Sequence, residues 1–166
     1  MQGRLVTGRL QTAGHLVLRF FGHVSARPLS PEEQSYIHER LSPPCADLFW
    51  RQSFPDQRHA LNVAQRVATR LPGDQEAIEA ALLHDIGKWR PNLGPVSRSI
   101  ATLLEYAHLP MTRRMWAYRD HGRRGAAELE EAGCGRLAIE FARLHPSAAP
   151  DGYDAERWQA LGEADG

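Results

Sequence analysis

Apolar residues return every three or four positions along most of the chain, the repeat that gathers them on one face of an α-helix with ~3.6 residues per turn. The clearest stretch runs from Ser53 to about Leu71, where Leu61, Ala64, Val67 and Ala68 form one stripe. Ser53 is placed to cap this helix, and Pro55 and Asp56 suit its first turn. Pro72-Gly73-Asp74 then reads as a turn, with Asp74 capping a helix whose face includes Ala77, Ile78, Ala81 and Leu82 and which ends near Gly87. Upstream, a short helix is predicted near 9–22, and Ser30-Pro31 reads as cap and first residue of a second one reaching about Leu41. Pro43 and Pro44 interrupt the pattern before a short helix over Ala46 to Arg51. Downstream, two prolines and a glycine make 89–95 a loop, and helices are predicted over 96–107, 111–119, 121–132, 135–144 and 154–164. Strand signals are scarce, so the predicted fold class is all-α.

The chain has 166 residues, enough for one domain with a sizeable core and too few for two ordinary ones. We divide it into an N-terminal helical extension, 1–50, expected to pack on a main domain, 51–166. Apolar residues make up 42% and charged residues 24%, a globular balance. Basic and acidic residues number 20 each, so no net field gathers nucleic acid or an anionic membrane. Arg113-Arg114 and Arg123-Arg124 are the only local support for nucleic-acid binding, which is not expected. The apolar stretch Leu16 to Phe21 is short and carries Arg19, so no membrane span or signal peptide is expected. Cys45 and Cys134 are far apart and lack a zinc-type spacing; buried or inert thiols are expected, and a cytoplasmic location with them. Oligomeric state is not legible.

Chemistry concentrates in a few residues: His59 on one helix, the adjacent pair His84-Asp85 at the end of the next, His121 and His145 later, and Asp165 near the last residue. Imidazole and carboxylate together suit a hard or borderline divalent ion. His84 and Asp85 point about 100° apart on a helix and can both reach one ion lying against its end. His59 and Asp165 can complete the set from flanking helices, as bundles commonly do. Such an ion makes water a nucleophile near neutral pH, and Lys88, the only lysine, lies four residues after His84, where its ammonium can meet a phosphate oxygen. Arg123 or Arg124 is a further candidate for that charge. Each residue also has a plainer reading. His59 suits an exposed helix position, Asp165 a frayed carboxylate, His121 a helix start and His145 a helix end favoured by the macrodipole.

The motifs Gln57-Arg58-His59-Ala60, Leu82-Leu83-His84-Asp85-Ile86-Gly87-Lys88 and Leu161-Gly162-Glu163-Ala164-Asp165 together resemble the HD-domain superfamily of metal-dependent phosphohydrolases. The likeness covers roughly residues 51–166. It implies an HD-domain helical bundle in which His59, His84, Asp85 and Asp165 bind a divalent metal (Mn, Fe, Mg, Ni or Co, undistinguished), with Asp85 and Lys88 in catalysis. The implied substrate is a small-molecule phosphate ester or a nucleotide. His121 in His121-Gly122-Arg123-Arg124 and His145 in Arg143-Leu144-His145-Pro146 are similar to the added histidines of two-metal members, which implies a second metal. The HD-GYP branch is more distant: Pro150-Asp151-Gly152-Tyr153-Asp154 is shorter than its signature, and Pro146 stands where a second histidine is expected. The competing expectation is a non-catalytic module of the same fold that senses a nucleotide or a protein.

Overall fold

Caps start the helices where the side chains allow it. A computed structural model describes residues 27–89, 104, 109–110, 112–113, 115–116 and 120–166. Among them the chain is all-helical, with seven α-helices and no strand. Helix α1 (Pro31–His38) opens on a capping box: Ser30 Oγ accepts from the Glu33 amide at 3.3 Å, and the Glu33 carboxylate accepts from the Ser30 amide at 2.7 Å. It ends before the predicted Leu41, because the Arg40 and Leu41 amides both turn back to the Ile37 carbonyl. Helix α2 (Pro43–Trp50) begins at the two prolines instead of after them. The reason is local: a first helical turn needs no amide donors, and Ser42 is extended at ψ 154, as a residue before proline prefers.

Helix α3 (Phe54–Arg70) follows its predicted span, capped by Ser53, with Leu61, Ala64 and Val67 buried on the predicted stripe. Asp74 caps α4 (Gln75–Leu83), accepting from the Ala77 amide at 3.1 Å. That helix stops at Leu83, short of the predicted Gly87. His84 is its C-cap, Asp85 leaves helical geometry at φ −104 and ψ 11, and a 3-10 turn spans Ile86–Lys88. The remaining helices, α5 (His121–Glu131), α6 (Arg136–Leu144) and α7 (Ala155–Asp165), match their predicted positions to within a residue. The helices predicted at 9–22, 96–107 and 111–119, and most of the 89–95 loop, fall largely outside the described residues.

The 3-10 turn packs on α5 through bare backbone. A Cβ on Gly87 would lie 1.9 Å from the His121 carbonyl oxygen, and one on Gly122 would lie 2.6 Å from the Ala142 oxygen of α6. Only glycine permits this approach, and it brings the start of α5 beside the end of α4. Behind these backbones Leu61, Leu82, Leu83, Ile86, Leu129, Phe141 and Leu161 are fully buried in one core. Each contributes on the order of 2 kcal/mol from apolar burial. Helix α2 joins the same core through Phe49. Arg157 anchors α7 to α4 by a two-point pair with Asp74, each contact 2.6 Å.

The expectation of two thiols is corrected. Cys45 of α2 and Cys134, just ahead of α6, form a disulfide with Cα atoms 5.9 Å apart. Helix packing brings together what 89 residues of sequence separate, so no local spacing could announce the pair. No helix among the described residues is long and apolar enough to cross a membrane.

Candidate metal centre

Five helices and the 3-10 turn deliver the predicted residues to one place. His59 projects from the second turn of α3, and its Nε2 meets Asp165 Oδ1 at 2.8 Å. His84 and Asp85 sit where α4 gives way to the turn, so both side chains face the cluster and both are buried. His84 Nε2 lies 3.3 Å from Asp165 Oδ1 and 3.4 Å from Asp85 Oδ2. Asp165, the last residue of α7, thereby meets two histidines.

Asp85 divides the group in two. Its Oδ2 faces His84, lies 4.0 Å from His59 Nε2 and pairs closely with the Lys88 ammonium. Its Oδ1 faces the other way, 3.5 Å from His121 Nε2 and 3.9 Å from His145 Nε2. His121 comes from the first residue of α5 and His145 from the C-cap of α6. Two of the histidines are oriented by the backbone of their own helices. His84 Nδ1 is 2.8 Å from the Ala81 carbonyl, and His145 Nδ1 is 3.1 Å from the Phe141 carbonyl. In the neutral ring such a bond places the proton on Nδ1 and leaves Nε2, the atom facing Asp85, as a donor to an ion.

These groups fit divalent metal. Three sets of ligand atoms lie close enough to share an ion: His59, His84 and Asp85; His84, His145 and Asp165; and Asp85, His121 and His145. His84 Nε2 and Asp85 Oδ1 are buried without a hydrogen-bond partner among the described residues. Polar atoms in that state are costly unless something satisfies them, and both are good metal donors. Charge answers part of the cost. Burial alone would raise the Asp85 carboxyl, yet Lys88, His84 and the neighbouring His121 hold it well below the ordinary range. Asp165 is likewise held down by His59 and His84 against its own burial. Burial would push the His84 imidazolium down, but Asp85 and Asp165 raise it to about 10. His145 goes the opposite way, lowered by burial and by the charge on His84.

Every residue predicted as a metal ligand is therefore in one cluster: His59, His84, Asp85, His121, His145 and Asp165. Lys88 stays beside it because the 3-10 turn keeps an i, i+3 contact to Asp85. Arg123 and Arg124 are different. Both guanidiniums are exposed and engaged by Asp120, at 3.0 and 3.2 Å. Sequence reasoning missed the carbonyls that orient His84 and His145. Their signal is only that a helical histidine has carbonyls three and four residues behind it.

Comparison of the chain with protein-family models, with curated proteins and with solved structures finds no match. The functional reading accordingly stands on the motifs and on this geometry.

Proposed function

We propose that the chain is a metal-dependent phosphohydrolase of the HD-domain kind that cleaves a phosphomonoester or phosphodiester bond in a small-molecule phosphate ester or a nucleotide. One observation carries the reading: Asp85 turns one carboxylate oxygen toward His84 and His59 and the other toward His121 and His145. A carboxylate so flanked could serve two ions, with His59 and His84 beside one oxygen and His121 and His145 beside the other. Divalent metal bound there would polarise a phosphoryl oxygen and make water a competent nucleophile near neutral pH. Lys88 presents a cation beside the cluster, suited to a phosphate oxygen whose charge grows in the transition state. Burial lowers His145 and so favours its neutral imidazole, the form that can ligate or accept a proton. His59 is the most exposed of the predicted ligands, which suits an edge open to substrate.

A second reading has its own support. The Lys88 ammonium and a protonated His84 already balance Asp85 and Asp165, the internal compensation that a non-catalytic nucleotide-sensing or protein-interaction module would need. Elemental analysis of the purified protein, with hydrolysis of a generic phosphodiester and a nucleotide panel, decides between them. Bound metal and turnover, both lost in Asp85→Ala, support the hydrolase. Absence of both after supplementation with manganese, iron and magnesium leaves the module. The cytoplasmic location expected from free thiols loses that support, since disulfides such as Cys45–Cys134 persist mainly in oxidising compartments.

A further inference from the structure

We infer that Arg66 is a positioning residue for the metal centre, holding the Asp165 carboxylate in place by gripping the main chain behind it. This rests on the metal reading of the cluster and adds to it a residue that touches no ligand atom.

Asp165 is the last residue of α7, in the turn where helix carbonyls lack intrahelical donors. The carbonyl directly before it, that of Ala164, accepts a hydrogen bond from Arg66 Nε at 2.8 Å. Arg66 follows His59 by seven residues on α3, two turns along the same face, about 10 Å away at ~1.5 Å per residue. One face of α3 thus meets the end of α7 twice. His59 takes the Asp165 carboxylate, and Arg66 takes the backbone that carries it. Four residues further on, Arg70 pairs with Glu163 in the same turn, while Leu161 and Ala164 are buried on its inner side. Without Arg66 the terminal carbonyl is free to turn to water and the turn to fray, and Asp165 loses the constraint on its main chain.

Charge and position predict opposite signs, which makes the role testable. A guanidinium near a cation site opposes binding by repulsion, so neutralising it should strengthen binding if charge governs. If positioning governs, neutralising it weakens binding. Groups that hydrogen-bond a ligand's own side chain are commonly worth 10- to 100-fold in metal affinity, so one that holds only the ligand's main chain belongs at the lower end, roughly 10-fold.

The experiment is calorimetric titration with Co²⁺, followed also by its visible absorption, on the full chain as wild type, Arg66→Met, Arg66→Lys, Asp165→Asn and the Arg66→Met, Asp165→Asn double variant. Arg66 is exposed, so circular dichroism should report an intact fold in Arg66→Met. The expected result is an affinity roughly 10-fold lower in Arg66→Met with altered Co²⁺ bands, most of it restored in Arg66→Lys, and no further loss when Arg66→Met is added to Asp165→Asn. Wild-type or higher affinity in Arg66→Met overturns the role, as does an equal further loss in the Asp165→Asn background, which would mean that Arg66 does not act through Asp165. In those cases the metal centre stands. A wild-type protein that binds no Co²⁺ overturns both.

Discussion

Replacing Gly87 with alanine should disable the half of the cluster built on α5 while leaving the half built on α3 largely intact. The new methyl would start 1.9 Å from the His121 carbonyl oxygen, 2.7 Å from its carbon and 2.9 Å from the Gly125 amide nitrogen, all of them backbone. Reaching an ordinary contact of about 3.5 Å requires α5 to retreat by roughly 1.5 Å, since no flexible side chain is present to give way. Forced overpacking costs about 1–3 kcal/mol, and displacement of a helix belongs at the upper end. For a chain of this length that lowers Tm by roughly 5–10 °C. His121 moves with its helix, and a misplacement of about 1 Å typically costs on the order of 100-fold in rate. Gly162 is the control: an alanine there meets nothing within 4 Å and stands inside α7, so Gly162→Ala should gain about 0.5–1 kcal/mol. Thermal unfolding, metal stoichiometry and turnover of the two variants are the assay. Gly87→Ala with wild-type Tm and full metal content would refute the close packing of the turn on α5, and with it the account of how His121 reaches Asp85.

Four further outcomes follow from the electrostatics and the cross-link. In the metal-free protein His84 is raised to about 10, so its proton must leave as metal binds; affinity should climb with pH through the neutral range by roughly tenfold per unit, and a pH-independent affinity would contradict it. The same shift makes the metal-free fold lose stability as pH rises from about 6.5 toward 10, while the lowered Asp85 and Asp165 make it lose stability as pH falls below the carboxylate range; urea unfolding across pH in chelator should show both flanks. Lys88→Met should tighten metal binding, by removing a cation that competes for Asp85, yet cut turnover about 100-fold, whereas equal turnover would make Lys88 a counter-ion only. Reduction of Cys45–Cys134 should lower unfolding stability by about 2–4 kcal/mol, read by denaturation with and without a dithiol, and an unchanged midpoint would count against the cross-link.

What the sequence disclosed, and what it hid, follows from the range of each signal. Helix identity depends on residues a few positions apart, so caps such as Ser53 and Asp74 and the stripe on α3 were readable from the chain alone. The six candidate ligands were readable only through motifs that resemble a metal-binding superfamily, because each imidazole or carboxylate alone also suits a plain structural role. Three things were not. The prolines at 43 and 44 signal a helix start and a break equally well, and only the extended Ser42 decides for the start. The end of α4 depends on Gly87 meeting the His121 backbone, a contact between segments 34 residues apart in number. The disulfide and the Arg66 contact to Ala164 span 89 and 98 residues, and neither has a local counterpart.

The charge of the cluster links its two readings. Metal-free, Asp85 and Asp165 are matched by Lys88 and a protonated His84, so the site is close to neutral and has little reason to attract an anion. Exchange of the His84 proton for one divalent ion would leave a net positive charge, and a second ion, were one held beside His121 and His145, would raise it further. Metal loading would thus decide both the nucleophile and the affinity for phosphate. It follows that a phosphate ester should bind the loaded protein far more tightly than the metal-free one, with the difference only partly screened by salt because Asp85 is buried. A module that senses nucleotides without metal predicts equal binding to both forms, so ligand affinity with and without chelator separates the readings even where no turnover is seen.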